Sequence, residues 1–217
     1  MTPVLGGPPH WTPRELWSRL RIPNIDEEDL YNVSNRAGQI LYEDRGRAEQ
    51  VIGTTEFRDW FLDSNSTKLL IHGDFDTMDD VSPFSVLCAT LHHAFRSTQG
   101  VIGLVFFCGC HIIRDEYFGG AVMIRSLIAQ LLRQFPFAAI EGDFGSVIDL
   151  DNTNQLCHYF IQLIRRLPSN MTVFCLIDGI KEYEREDYLH GMDDVIYSLL
   201  DLVAEIASHE SSADCGG

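Results

Sequence analysis

The chain has 217 residues, 45% of them hydrophobic and 22% charged. That is enough for one full core, too little for two independent domains, and too apolar for a mostly disordered polypeptide. Its 16 basic residues face 32 acidic ones, a formal net charge of −16, so neither a nucleic acid nor an anionic membrane surface is expected as a partner.

Residues 1–13 are rich in Pro and Gly and read as a loose arm, with no basic segment followed by an apolar one as an export signal would have. Thr12 is placed to cap a helix with Pro13 at its first position and Glu15 favouring its dipole, running to about Leu20. Further helices are expected from Glu27 to about Tyr42 and around Thr55 to Asp63, where Phe57, Trp60 and Phe61 recur at helical spacing. Residues 1–54 thus form an arm and helical segment, and the main domain is expected over 55–209.

From Lys68 the pattern changes. Leu69-Leu70-Ile71-His72-Gly73 is a short apolar run ending at glycine and predicts a buried strand. Ser82-Pro83 opens a helix to about Ser97, with Phe84, Leu87, Leu91 and Phe95 on one face and His92-His93 on its surface. Val101 to Phe107 predicts a second buried strand, and Ala121 to Phe135 an amphipathic helix with Ile124, Leu127, Ile128, Leu131 and Leu132 inward. Asn154 to Leu167 gives another helix, Thr172 to Asp178 a third buried strand, and a last helix reaches about Ser208 before a polar tail over 210–217. Apolar strands alternating with amphipathic helices predict an α/β fold, a parallel sheet with helices on both faces. The longest uncharged run, Ser97 to Ile113, is too short and too polar to span a bilayer, so the expected location is cytoplasmic.

Six cysteines, four of them inside apolar runs, fit a reducing compartment. Cys108, Cys110 and His111 form C-x-C-H, which lacks the second ligand pair of a zinc site and reads as a strand end carrying sulfur.

In a P-loop protein one strand ends in a glycine-rich turn that cradles phosphates, with Lys on the terminal phosphates and Ser/Thr on magnesium, and another strand ends in the Asp that organises the ion. Glu56 to Gly73 resembles the approach to that loop in fungal NACHT proteins, the signalling NTPases with a nephrocystin 3-like N-terminal domain. Phe106-Phe107, Ile124 to Pro136 and Phe174-Cys-Leu-Ile-Asp-Gly-Ile-Lys-Glu182 resemble, in the same order, that family's next strand, its following helix and its Walker B segment. The resemblance spans roughly 55–185 and implies a P-loop NTPase-like fold with Gly73, Asp79 and Asp80 at Walker A positions, Asp178 as a metal-holding carboxylate and Glu182 as the residue that would orient water in an active enzyme.

The departures change what that implies. Counted from Gly73, the motif puts Met78 at the second glycine, Asp79 at the lysine and Asp80 at the hydroxyl. Asp74, Asp76, Asp79 and Asp80 then surround a polyphosphate position, and each like-charge contact costs on the order of 1–4 kcal/mol at surface-like dielectric. No bound cofactor is expected; ATP or GTP with magnesium enters only if the chain is a divergent nucleoside triphosphatase acting through Asp178 and Glu182. A degenerate, non-hydrolysing signalling or scaffold module is the primary expectation. The family's strand that inserts between the Walker A and Walker B strands has no counterpart here, so either the chain is a fragment or the strands close up in the order Leu69, Val173, Val101. Their apolar edges should seek a protein partner or another copy.

Overall fold

Two of the three apolar runs form the centre of the molecule. The computed structural model describes residues 10–73, 81–112, 115–138, 140–141, 148–184 and 186–214. In chain order the elements are β1 (His10–Trp11), α1 (Pro13–Leu20), α2 (Ile25–Arg36), α3 (Tyr42–Ile52), α4 (Thr55–Leu62), α5 (Pro83–Arg96), β2 (Val101–Phe107), α6 (Gly120–Gln134), β3 (Ile140–Glu141), α7 (Thr153–Ile164), β4 (Thr172–Asp178) and α8 (Glu186–Asp214). β2 and β4 pair in parallel from Val101↔Thr172 to Phe107↔Asp178, and β1 pairs antiparallel with β3 over two residues.

Successive strand residues point to opposite faces, and the two faces of the β2–β4 sheet feed two cores. Ile102, Leu104 and Phe106 join Ile124, Leu127, Ile128 and Leu131 of α6, with Leu156 and Phe160 of α7 and Leu16 and Leu20 of α1. Val105, Phe107 and Leu176 join Ala89 and Phe95 of α5, and Leu30 and Val33 of α2. α4 closes over this second face through its aromatic residues: Phe174 stacks on Phe95 at 4.2 Å between centroids and on Phe61 at 5.7 Å, with Trp60 edge-on at 5.4 Å.

The caps form as the sequence dictates. Thr12 and Glu15 make a reciprocal capping box on α1, and Ser82 accepts from the backbone N–H groups of Phe84 and Ser85 with Pro83 at the first turn of α5. At the start of α6 a Cβ added to Gly120 would lie 2.0 Å from the carbonyl oxygen of Gly191 in α8, so only glycine permits this helix crossing.

The two edges of the sheet are treated differently. On the β2 side, two glutamines one turn apart on α6 stand in for a neighbouring strand. Gln130 accepts from Val105 N–H at 2.9 Å and donates to Val105 C=O at 2.8 Å; Gln134 does the same for Gly103 at 3.2 and 2.7 Å. On the β4 side Thr172 N–H donates to Gly100 C=O. By alternation, Val173, Cys175 and Ile177 therefore turn their backbone groups away from β2, to an edge where no strand lies among the described residues.

Several expectations are corrected. Lys68–Gly73 forms no strand: Leu70 is 84% exposed and Ile71 37%, because no neighbouring strand among the described residues receives the run and so short a segment has no means of pairing with itself. The Val101 and Val173 strands do close up directly, without Leu69 beside them. α2 ends at Arg36 and a separate helix, α3, follows. The last helix continues to Asp214, through the start of the segment expected as a polar tail. His92 is fully buried rather than on the helix surface, because it lies three residues from both Ala89 and Phe95 on the inward stripe of α5.

Candidate functional site

In an open α/β sheet, ligands collect at the carboxyl ends of the strands. Both strands here end in a short 3₁₀ turn, Cys108–Cys110 after β2 and Ile180–Tyr183 after β4. The second turn is made possible by Gly179, at φ 71°, where an added Cβ would approach the Gly109 nitrogen to 3.2 Å.

The last residue of β4, Asp178, points into the first turn of α5. Ser85 donates its hydroxyl hydrogen to Asp178 Oδ2 at 2.6 Å and accepts from Ser82 N–H at 2.9 Å, so its donor and one acceptor site are both used. Both side chains are buried, Asp178 at 8% exposure. Burial raises the Asp178 pKa to about 6, against the opposing hydrogen bonds from Ser85 and the Gly179 backbone. Cys88 and Cys108 feel the same carboxylate, and burial first and then its charge push both thiols far above their usual range. Burial alone raises Cys175 to about 12. These are inert packing thiols rather than nucleophiles.

A second polar cluster braces the site from the β2 side. His111 is buried between Asp29 of α2, at 2.8 Å from Nε2, and Asp115, at 2.5 Å from Nδ1. Burial opposes the imidazolium, yet the two carboxylates outweigh it and leave the His111 pKa raised. Tyr183 donates to the His111 carbonyl at 2.8 Å and accepts from Gly119 N–H at 3.1 Å, tying the two turns together. Beneath them Arg133 of α6 binds Asp26 and Asn24. The C-x-C-H run thus serves packing and an internal ion pair, and among the described residues no group of three or more His, Cys, Asp or Glu is arranged to hold a metal.

Of the residues singled out from sequence, Asp178 sits at the site. Glu182 is half-buried on the Ile180–Tyr183 turn, with its N–H on the Gly179 carbonyl. Gly73 is exposed at the end of the unpaired segment, and Asp79 and Asp80 lie outside the described residues. Ser85 was missed. Counting from Gly73 hides it; counting from the helix start, where Ser82-Pro83 fixes the first turn, would have found a hydroxyl facing the strand end. A hollow along α2, lined by Glu27, Glu28, Tyr31 and two asparagines, shares no residue with the pair.

Fold and pair together define an α/β protein in which a helix-borne hydroxyl is closed on a strand-end carboxylate. A family model described as Nephrocystin 3, N-terminal, matches residues 46–213, about three quarters of the chain, and the chain belongs to that family. No curated protein and no solved structure gives a match. Among the described residues no helix is long and apolar enough to cross a membrane.

Proposed function

We propose that this chain is a non-hydrolysing, NACHT-like module that works by binding other proteins rather than by turning over a nucleotide. The observation that carries this reading is that the loop before the buried Ser85–Asp178 pair offers no lysine for a terminal phosphate. In a P-loop NTPase a helix-borne Ser/Thr and a strand-end Asp hold magnesium between them. Here the same two residue types bond each other directly, and the carboxyl is pushed toward its neutral form. If Ser85 takes the hydroxyl position, Phe84 falls where the lysine belongs, Pro83 where the second glycine belongs and Met78 where the first does. Counted from Gly73 or from Ser85, the loop has no cation for the terminal phosphates. The missing cation argues against a magnesium nucleotide in the usual pose, and no catalytic step is assigned to Asp178 or Glu182.

The test is calorimetric titration of the full chain with ATP and GTP, with and without magnesium, alongside phosphate release by wild type and Asp178→Ala. No heat of binding and equal background release are expected. Micromolar binding, or turnover lost in Asp178→Ala, would establish the divergent triphosphatase instead.

A further inference from the structure

The two sheet edges carry opposite instructions. Gln130 and Gln134 occupy the outward N–H and C=O groups of Val105 and Gly103 in β2, whereas β4, Thr-Val-Phe-Cys-Leu-Ile-Asp, has no proline, no lysine and no bulge to discourage pairing. The backbone groups of Val173, Cys175 and Ile177 meet no strand among the described residues. The same chain also carries a strand-like segment that it does not use. Lys68–His72 contains neither Gly nor Pro, pairs with no strand among the described residues and leaves Leu70 and Ile71 in solvent.

The helix that leads into the donor packs on the acceptor strand. Phe61, at the end of α4, stacks on Phe174 of β4, so the chain leaves for Lys68 from beside the open edge. Four exposed large apolar residues, Phe61, Leu62, Leu70 and Ile71, fall within this stretch. Seven residues separate Phe61 from Leu69, a reach of roughly 25 Å when extended, ample to cross to a facing molecule. A donor that starts from a helix packed on the acceptor strand allows two copies to exchange strands reciprocally about a two-fold axis, which closes the assembly at two.

We infer that the open edge of β4 is a dimerisation site whose occupant is Lys68–His72 of a second copy of this chain. The formal charge of −16 per chain opposes the approach of two copies, so the dimer should tighten as salt screens that repulsion. The inference stands apart from the nucleotide question: a chain that bound magnesium ATP would overturn the function proposed above and leave this one standing.

The experiment is sedimentation of the full chain across concentration at 50 and 500 mM salt, with amide exchange at Val173, Cys175 and Ile177. Wild type is compared with the double substitution Leu70→Asp/Ile71→Pro, whose fold is checked by circular dichroism. A dimer that tightens at least threefold in high salt, weakens at least tenfold in the variant and protects the three amides only when dimeric is the expected result. A wild type that stays monomeric at all concentrations overturns the inference. A dimer untouched by the variant places the contact elsewhere, open-ended oligomers refute the closed exchange, and amides protected in the monomer show the segment folding back on its own edge; each of these overturns it as well.

Discussion

Replacing Asp178 by Asn should make the protein less sensitive to rising pH. In the folded chain the carboxyl holds its proton up to about pH 6, whereas an unfolded chain releases it near 3.8. A raised carboxyl contributes stability that is complete below the unfolded value and is lost as pH climbs through the folded one. The whole displacement is worth about 3 kcal/mol, of which about 2 kcal/mol falls between pH 4.5 and 7.5. Asn keeps the acceptor for Ser85 but brings an N–H₂ group whose unmet donors cost about 1–3 kcal/mol, so its absolute stability says little and its pH dependence says much. Urea unfolding followed by tryptophan fluorescence at four pH values should show the variant gaining about 2 kcal/mol on wild type from pH 4.5 to 7.5. His92 and His111 titrate in both proteins and cancel in the difference. A constant difference, or one that moves against Asn as pH rises, would mean instead that the ionised carboxylate is stabilised where it stands. Repeating the series in 10 mM magnesium identifies a cation as the cause if only wild type is stabilised.

Three other outcomes follow from the packing. Gln130→Leu strands the N–H and C=O of Val105, both buried, and should cost about 2–4 kcal/mol by urea unfolding. Gly120→Ala should destabilise by more than 3 kcal/mol or prevent folding, whereas Gly191→Ala, whose Cβ would meet Thr153 Oγ1 at 3.3 Å and nothing nearer, should cost about 1 kcal/mol or less; thermal melts of the pair check the contrast. His92 is buried with neither ring nitrogen partnered, and burial lowers its pKa to about 4. Folded stability therefore falls as pH drops from about 6.5 toward 4, and His92→Leu should remove that acid sensitivity and add about 1–2 kcal/mol at pH 5.

The parts of this fold that sequence revealed are those with their own local signal. β2 and β4 are continuous apolar runs, α6 places five apolar residues on one stripe, and α1 and α5 announce themselves by Thr12 and Ser82 with their prolines. Lys68–Gly73 misled because a short apolar run looks the same whether or not a neighbouring strand exists to receive it. α3 was invisible for the opposite reason: only Ala48 of its residues is buried, so it has no stripe for periodicity to detect. At the site Asp178 was legible as an acid closing an apolar run. Its partner was not, because Ser85 is set by where α5 begins, and a motif counted forward from Gly73 assumes a loop length that the sequence does not fix.

The glutamine pair on α6 also sets the valence of the molecule. A sheet with two bare edges can add neighbours without limit, and growth of that kind leads to fibres. Here one side is sealed by side chains that belong to a buried helix, and unsealing it would require pulling Gln130 out of the core. Whatever joins this sheet can join it from one direction only. The chain can therefore leave the outer edge of β4 without a strand among the described residues and still not become a template for its own unlimited aggregation by edge-to-edge stacking.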